Sequence, residues 1–390
     1  MITALYIIFF LSLAALVYVY AGYPLLVYLV SRIRPRPVRR GAFEPTVTIL
    51  ITAYNEAEAI AAKLRNTMAI DFPKAKLEIL VASDGSTDDT ERIAAEFDGV
   101  RVFRQEGRKG KTFTQNKAVA QATGEIILFS DATTEYRTDV LRALLPNFAD
   151  DIVGCVAGKL VYVDDSSSNV GKGAKSYWNY ETFLKESESL ACSLIGASGC
   201  LYAVRKSAYR EMYPEACSDF LICTVLFEQG LRSVYEPDAV CFEETNRRTD
   251  KEMKMRIRVI SQTFTDLWRN RSMLNPFKSG FYAVELISHK LLRYAVPVFL
   301  VTAFVSSAIL ARGSSIFEIA LLGQLAFYLI AGLGILLERA GARIGVFAIP
   351  HYFVLANLAS VLGFYKFLSG ERYATWEPIR EKNGEVGPVS

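Results

Sequence analysis

The chain has 390 residues, and 44 Lys and Arg against 41 Asp and Glu leave a net charge of +3, which points to neither a nucleic-acid partner nor an acidic solvating tail. Hydrophobic residues reach 51% and the mean hydropathy is +0.21, too apolar for a soluble enzyme of this length unless part of the chain lies in lipid. Six cysteines without a C-x-x-C or C-x-x-H pair indicate neither a structural zinc site nor a disulfide framework, and they fit a reducing compartment.

From Thr3 to Val30 no residue is charged, and at about 1.5 Å per residue the run exceeds a hydrocarbon core of roughly 30 Å. Residues 1–31 therefore read as a transmembrane anchor. A cleaved signal peptide fits less well, because the start is uncharged and the apolar run is long. Five arginines follow between Arg32 and Arg40, which places the next residues on the cytoplasmic side.

From 41 to 275 short apolar runs alternate with helical patterns. Strands are expected at Val47–Ala53, Leu77–Ala82, Val100–Phe103 and Glu125–Phe129, with helices at Glu56–Ile70, Asp88–Phe97 and Lys111–Ala122 between them. Such alternation predicts an α/β domain with a largely parallel sheet, helices on both faces and ligands beyond the carboxyl ends of the strands. Phe281–Arg293 mixes apolar and charged residues as an interfacial amphipathic helix does. Within 294–369, the runs Tyr294–Leu310 and Ile316–Leu337 read as spans. Ile344–Tyr365 contains Pro350 and His351 and reads as either a third crossing or a re-entrant or interfacial helix. A tail, 370–390, closes the chain.

The polar residues at the strand ends carry the chemistry. After the first strand comes Thr52-Ala53-Tyr54-Asn55-Glu56, after the second Ser83-Asp84-Gly85-Ser86-Thr87-Asp88, and after the fourth Ser130-Asp131-Ala132-Thr133. Neither G-x-G-x-x-G nor a P-loop is present, so any nucleotide must be held another way, and the carboxylates are candidates: Asp84 at ribose or base, Asp131 through a divalent cation, Mg²⁺ or Mn²⁺, on a diphosphate. The basic, glycine-hinged loop with Lys109 and Lys111 suits phosphate. Each cluster also reads, taken singly, as turn and cap chemistry.

These motifs, with Cys217-Ser218-Asp219, resemble the family 2 glycosyltransferases of GT-A fold over roughly 45–258, and the membrane-bound poly-N-acetylglucosamine, cellulose and hyaluronan synthases among them. The resemblance implies that Thr52, Ala53, Tyr54, Glu56 and Asp84 cradle base and ribose, that Asp131 binds metal and diphosphate, and that Asp219 is the general base. It also implies that Gly196, Ala197, Ser198 and Gly199 lie under the donor sugar and acceptor. Two departures stand out. Thr133 occupies the place of the second metal-motif carboxylate, and Met255-Arg256-Ile257-Arg258-Val259 keeps only the arginine of Gln-x-x-Arg-Trp, which counts against a polymerising function.

Asp219 stands at an expected helix start, where the macrodipole favours its ionised form. Arg256 and Arg258 are candidates to neutralise the leaving diphosphate, or, with Arg247, Arg248, Lys251 and Lys254, to form a basic face on anionic lipid. Trp178 and Tyr180 read as core, and His289 and His351 as satisfied or interfacial histidines. The expectation is an inverting glycosyltransferase of the inner (plasma) membrane, multi-pass, with its catalytic domain in the cytoplasm and a role in cell-surface glycan synthesis. Its donor is a nucleotide sugar, UDP-linked by resemblance, and its acceptor is lipid-linked or a glycan. The rivals are a processive, exporting synthase and a catalytically silent scaffold.

Overall fold

The computed structural model describes residues 2–163, 169–243, 249–339 and 347–375. Arg247, Arg248 and the expected tail beyond residue 375 lie outside the described residues. Eight strands form one sheet: β1 (Val47–Ala53), β2 (Leu77–Ser83), β3 (Val100–Arg104), β4 (Ile126–Asp131), β5 (Glu135–Tyr136), β6 (Val153–Tyr162), β7 (Tyr202–Arg205) and β8 (Arg232–Glu243). Their spatial order is β3-β2-β1-β4-β7-β6-β8-β5. In chain order the helices are α1 (Ile2–Val17), α2 (Tyr23–Ile33), α3 (Ala57–Met68), α4 (Thr90–Ala95), α5 (Lys111–Gln121), α6 (Val140–Leu144) and α7 (Asn169–Ala191). Then come α8 (Ser218–Glu228), α9 (Thr249–Arg269), α10 (Pro276–Ser279), α11 (Phe281–Leu286), α12 (Val296–Leu310), α13 (Ser315–Arg339) and α14 (Ala348–Leu368).

Alternate residues of β1 explain why the sheet is covered twice. Ile49, Ile51 and Ala53 pack against Ile60 and Leu64 of α3 and Leu141 and Leu144 of α6. Leu50, with Leu80, Ile127 and Phe129, faces Ala118 and Val119 of α5 and Leu221, Ile222 and Leu226 of α8. Strands buried on both faces have no polar alternation, which is why they read as continuous apolar runs.

The first half of the sheet is parallel, with Ala53 beside Ser83 and Thr52 beside Asp131, so the polar ends of β1, β2 and β4 are level. The second half departs from the parallel expectation, because β7 runs antiparallel to both β4 and β6. The reason is entry: the chain reaches β7 from the Gly196–Gly199 turn, at the carboxyl edge of β4, and it can pair with β4 only by running back along it.

Among the described residues, three helical stretches are long and apolar enough to cross a bilayer: Ile2–Ile33, Val296–Gly313 and Ser315–Leu337. The first joins α1 to α2 through a π turn at Tyr18–Gly22. Ser12 Oγ and Thr302 Oγ1, 2.7 Å apart, tie α1 to α12, and Phe9 packs with Ala303, Leu310 and Phe317. The arginine-rich linker is strapped to the α/β domain, with Arg39 3.1 Å from Asp150 and Arg40 2.9 Å from Glu236.

Two expectations for the C-terminal part change. Phe281–Arg293 is helical, but its polar side turns inward instead of toward lipid headgroups: Glu285, Ser288 and His289 are buried, because α7 supplies Glu181 and Glu188 as partners for His289. Ile344–Tyr365, where described, belongs to α14, which packs along α9, with Phe264 against Phe364 and Phe367 and Ile260 against Gly363. The residues after α14 run back to the α/β domain, where Gln262 Nε2 donates to the Tyr373 carbonyl at 2.7 Å and a Cβ at Gly110 would collide with the Ala374 carbonyl.

Gly124 sets the close start of β4 beside β1. A Cβ there would stand 2.7 Å from the Val47 carbonyl carbon and 2.8 Å from Thr48 Oγ1. Gly124→Ala is expected to destabilise the protein by about 1–3 kcal/mol, read as a lowered thermal midpoint in detergent; an unchanged midpoint would show that the strand start relaxes freely.

Candidate functional site

A cavity of about 1310 Å³ opens at the carboxyl edge of the sheet. Of the sequence candidates it gathers Thr52, Glu56, Lys111, Asp131, Thr133, Gly196, Ala197, Ser198, Gly199, Asp219, Arg256 and Arg258. Ala53, Tyr54, Asp84 and Lys109 do not line it. Ala53 is buried and its carbonyl accepts from Asp84 N at 2.9 Å. Tyr54 lies beneath the Arg108 guanidinium, 4.0 Å from ring centroid to Cζ. Lys109 is exposed, and its backbone N–H donates to Asp84.

Asp84 differs most from expectation. It is fully buried, and its oxygens accept from Lys109 N at 2.9 Å, Gly110 N at 3.0 Å and Thr114 Oγ1 at 2.8 Å. Asp84 thereby holds the basic loop against the N-terminus of α5, its Oδ2 sharing the Gly110 N–H with Oδ1. The turn before it is shaped by Asn55, a non-glycine residue at φ 53°, whose Oδ1 accepts from Thr87 N at 2.8 Å.

That anchoring delivers Lys111, the first residue of α5, to the centre of the cavity. Its Nζ stands 2.5 Å from Asp131 Oδ1. Burial opposes charge on Lys111, yet the contact with Asp131, with Asp219 beyond, raises its pKa above the ordinary lysine value. A point on Gly199 shows how tightly the three meet: a Cβ there would be 3.1 Å from Asp219 Oδ2 and 3.5 Å from Lys111 Nζ. A side chain there would have to displace the Asp219 carboxylate by a few tenths of an ångström.

Asp219 is placed by its helix start. Cys217 is the N-cap of α8, and its carbonyl accepts from Phe220 N and Leu221 N at 3.0 and 2.8 Å. Asp219 Oδ1 accepts from Phe220 N at 3.0 Å and from the Cys217 thiol at 3.1 Å, while Ala197 N donates to the Asp219 carbonyl at 2.9 Å. Burial, with Asp219 adjacent, raises the Cys217 thiol well above its usual pKa and so keeps the proton on sulfur. Behind this turn, Asp266 Oδ2 accepts from Cys217 N at 3.1 Å and Oδ1 from the Tyr213 hydroxyl. Burial pushes the Asp266 carboxyl up to about 8 against the pull of both hydrogen bonds.

Arg256 and Arg258 reach the cavity from α9. Arg256 is held by Glu252 at 2.8 Å and by the Tyr352 hydroxyl of α14. Arg258 Nε is buried without a hydrogen-bond partner among the described residues, and burial lowers the pKa of its guanidinium. The guanidinium lies near the charges of Asp131 and Asp219, with Lys111 also in range. Thr133 Oγ1 lies 3.4 Å from Glu243 Oε1 at the end of β8.

Several lining residues were not among the sequence candidates. Lys185 of α7 is buried and donates from Nζ to Ser198 Oγ at 2.6 Å. Beyond it, His289 stands 2.6 Å from Glu188 and 3.1 Å from Glu181, with Arg293 2.5 Å from Glu181. Burial opposes charge on His289, but the two glutamates outweigh it and raise its pKa. Glu181, Lys185 and Glu188 recur at i, i+4 and i+7, which in sequence alone resembles a solvated helix face. Asp266 shares its i, i+4, i+7 face with Val259 and Thr263, the one legible sign of its burial. Trp178, half-buried, uses its Nε1–H on the Leu160 carbonyl at 2.9 Å.

Residues 48–213 match the model of Glycosyl transferase family 2. The chain is 28% identical over 235 residues to the poly-β-1,6-N-acetyl-D-glucosamine synthase of Staphylococcus aureus strain COL, covering 58% of this chain and 52% of that protein. The synthase of the same name from Staphylococcus epidermidis is 26% identical over 234 residues, with the same coverage. The chain thus spans about half the length of the curated relatives it matches. Among solved structures, the mannosyltransferase PcManGT of Pyrobaculum calidifontis, in complex with GDP-Man and Mn²⁺, superposes with a TM-score of 0.70 at 23% identity, covering 95% of this chain and all of that one. The fold is therefore of the GT-A kind.

Lys63, on the cavity wall, offers a test of the site's electrostatics. It is fully buried, donates to the Thr134 carbonyl at 2.8 Å and sits over the Tyr136 ring, and desolvation lowers its pKa from 10.5 to about 7. Between those two values the unfolded chain binds a proton that the folded chain releases, so stability rises with pH from about 7 to about 10.5. Thermal melts across that range are expected to climb for the wild type and to flatten for Lys63→Met.

Proposed function

We propose that this chain, which carries a family 2 glycosyltransferase domain, transfers a sugar from a nucleotide-sugar donor to an acceptor hydroxyl at a membrane, with inversion at the anomeric carbon. The observation that carries the proposal is the meeting of Asp131, Lys111 and Asp219 around Gly199 in one cavity. The donor's diphosphate lies toward Lys111 and Arg258, whose positive charges offset the charge that develops as the C1–O bond breaks. Asp219 takes the proton of the acceptor hydroxyl as its oxygen bonds to C1 from the opposite side. Gly196–Gly199, with Ser198 fixed by Lys185, forms the floor under the reacting carbon.

The donor set at Asp131 and Thr133 suits Mg²⁺ or Mn²⁺. It offers one carboxylate and one hydroxyl, hard oxygens, and among the described residues no group of three or more His, Cys, Asp or Glu gathers as ligands. Such a site fits a cation that shares its coordination with the donor's phosphates, and when bound it supplies further charge to the leaving group.

The membrane reading rests on the three apolar stretches and on the path of the chain after α14. With Arg32–Arg40 and the α/β domain on one side, α12 and α13 cross and return, and α14 lies along α9 without crossing, so that Tyr373 and Ala374 end beside Gln262 and Gly110. This gives three crossings with the catalytic domain in the cytoplasm. A second reading, polymer synthesis, is favoured by the identity with the two staphylococcal synthases.

Nucleoside diphosphate release from purified protein over a panel of nucleotide sugars is expected to pick out one donor, to fall on chelation of divalent cations, and to drop by about 10²–10⁴-fold in Asp219→Asn. Product length then separates single transfer from polymerisation. Absence of release with every donor and acceptor, or an unaffected Asp219→Asn, would overturn the proposal. A second expectation concerns Asp266, neutral below about pH 8. Activity of the wild type is expected to change as Asp266 ionises near pH 8, whereas Asp266→Asn, which retains an acceptor for Cys217 N, is expected to keep activity at pH 7 and to lack that change. Asp266→Ala is expected to lose about tenfold or more, the cost of an orphaned buried donor.

A further inference from the structure

One surface of the α/β domain exposes large apolar side chains outside the candidate spans. Phe277, in α10, is 98% exposed, and Trp268, at the end of α9, is 63% exposed. Soluble surfaces rarely present two such rings together without a partner. Cations surround them: Arg269, Arg271 and Lys278 are all exposed. The Arg271 guanidinium lies 5.4 Å from the centroid of the Trp268 ring, and Lys278 Nζ donates to Ser272 Oγ at 2.9 Å, so the rings and charges belong to one patch. Their acidic neighbours hold them loosely, Glu228 at 3.6 Å from Lys278 and Glu215 at 3.9 Å from Arg269, which leaves the patch basic.

The fold fixes the height of this patch relative to the apolar helices. Phe281, one turn beyond Phe277, packs on the cluster of Tyr23, Val27, Leu184 and Ala191, and Tyr23 and Val27 belong to the last turns of the N-terminal apolar stretch before Arg32 and Arg34. Leu267 and Met273, on either side of Trp268 and Arg271, share a core with Tyr282 and Leu286. Trp268 and Phe277 are thereby tied rigidly to the segment that ends where the arginines begin, which is where headgroups lie when that stretch spans.

We infer that Trp268, Arg271, Phe277 and Lys278 form an interfacial patch that inserts its two rings into the headgroup region of the leaflet nearest the α/β domain and favours anionic lipid. The inference rests on the membrane reading above. It also moves the contact with lipid from Phe281–Arg293, whose polar side is buried, to the segment just before it. Aromatic rings are stable at that depth because the body is apolar and the rim tolerates water, and each basic residue near an anionic surface contributes about fivefold to the local preference for anionic lipid.

The test uses the intact protein in lipid nanodiscs. Intrinsic fluorescence is recorded with phosphatidylcholine brominated near the headgroup or deep in the acyl chain. The share of emission lost in Trp268→Phe is expected to be quenched more strongly by the shallow bromines, and Phe277→Ser is expected to weaken that quenching. Replacing part of the neutral lipid with phosphatidylglycerol is expected to shift Trp268 emission to the blue in the wild type and not in Arg271→Gln/Lys278→Gln. Equal quenching of wild type and Trp268→Phe, or a wild type indifferent to anionic lipid, overturns the inference. Co-elution of protein with lipid reports separately on the apolar helices: protein that enters the discs while Trp268 stays unquenched overturns the patch alone, and protein that does not enter them overturns the membrane reading with it.

Discussion

The ion pair between Lys111 and Asp131 is the contact on which the site depends. It joins the end of β4 to the start of α5, and it forms only because the buried Asp84 carboxylate, accepting from Lys109 N, Gly110 N and Thr114, fixes the loop that precedes Lys111. The acids that face Lys111 outweigh the desolvation of its ammonium and favour its charged form. The same pair brings a cation within reach of Asp219, so the two acids and the ammonium lie within one small volume around Gly199.

Helix α9 organises the other wall. It carries Arg256 and Arg258 toward the cavity, and one face further along it places Asp266 behind the turn that bears Asp219. Helix α14 braces α9 through Tyr352, Phe364 and Phe367, and the chain after it returns to Gln262 and Gly110. Helix α14 thus contacts both α9, which carries Arg256 and Arg258, and, through the residues after it, the loop at Gly110. On the opposite side, the Tyr23 hydroxyl bonds Glu188 at 2.5 Å and Glu188 bonds His289, so the N-terminal apolar helix is joined to the cavity through buried, mutually compensating charges. Removing one member leaves the others unpaired in a low-dielectric interior, which is more costly than the pair is beneficial.

Much of the fold was legible in sequence because its signals are local. Strands such as Val47–Ala53, buried on both faces, announce themselves as unbroken apolar runs, and the N-terminal apolar stretch by its length without charge. The strand-end acids Asp131 and the helix-start acid Asp219 were legible for a similar reason: chemistry at a parallel sheet's carboxyl edge follows the strands in sequence. Asp84 shows what that reasoning leaves open. Its position in the motif says that a carboxylate lies near the loop, but whether its oxygens face a ligand or backbone N–H groups depends on the path of residues 107–114, which sequence spacing does not fix.

The alternation of strands and helices, the apolar stretches and the residues presented at the ends of β1, β2 and β4 could be read from amino-acid order, since each follows from side-chain period and turn chemistry within a few residues. Long-range contacts were needed for the direction of β7, the inward turn of His289, the lie of α14 along α9, and the contacts of Lys185 and Asp266. Each of these rests on partners far apart in the chain, Lys185 with Ser198 across a turn and Asp266 with Cys217 across a helix, and a buried polar group is intelligible only once its partner is in place.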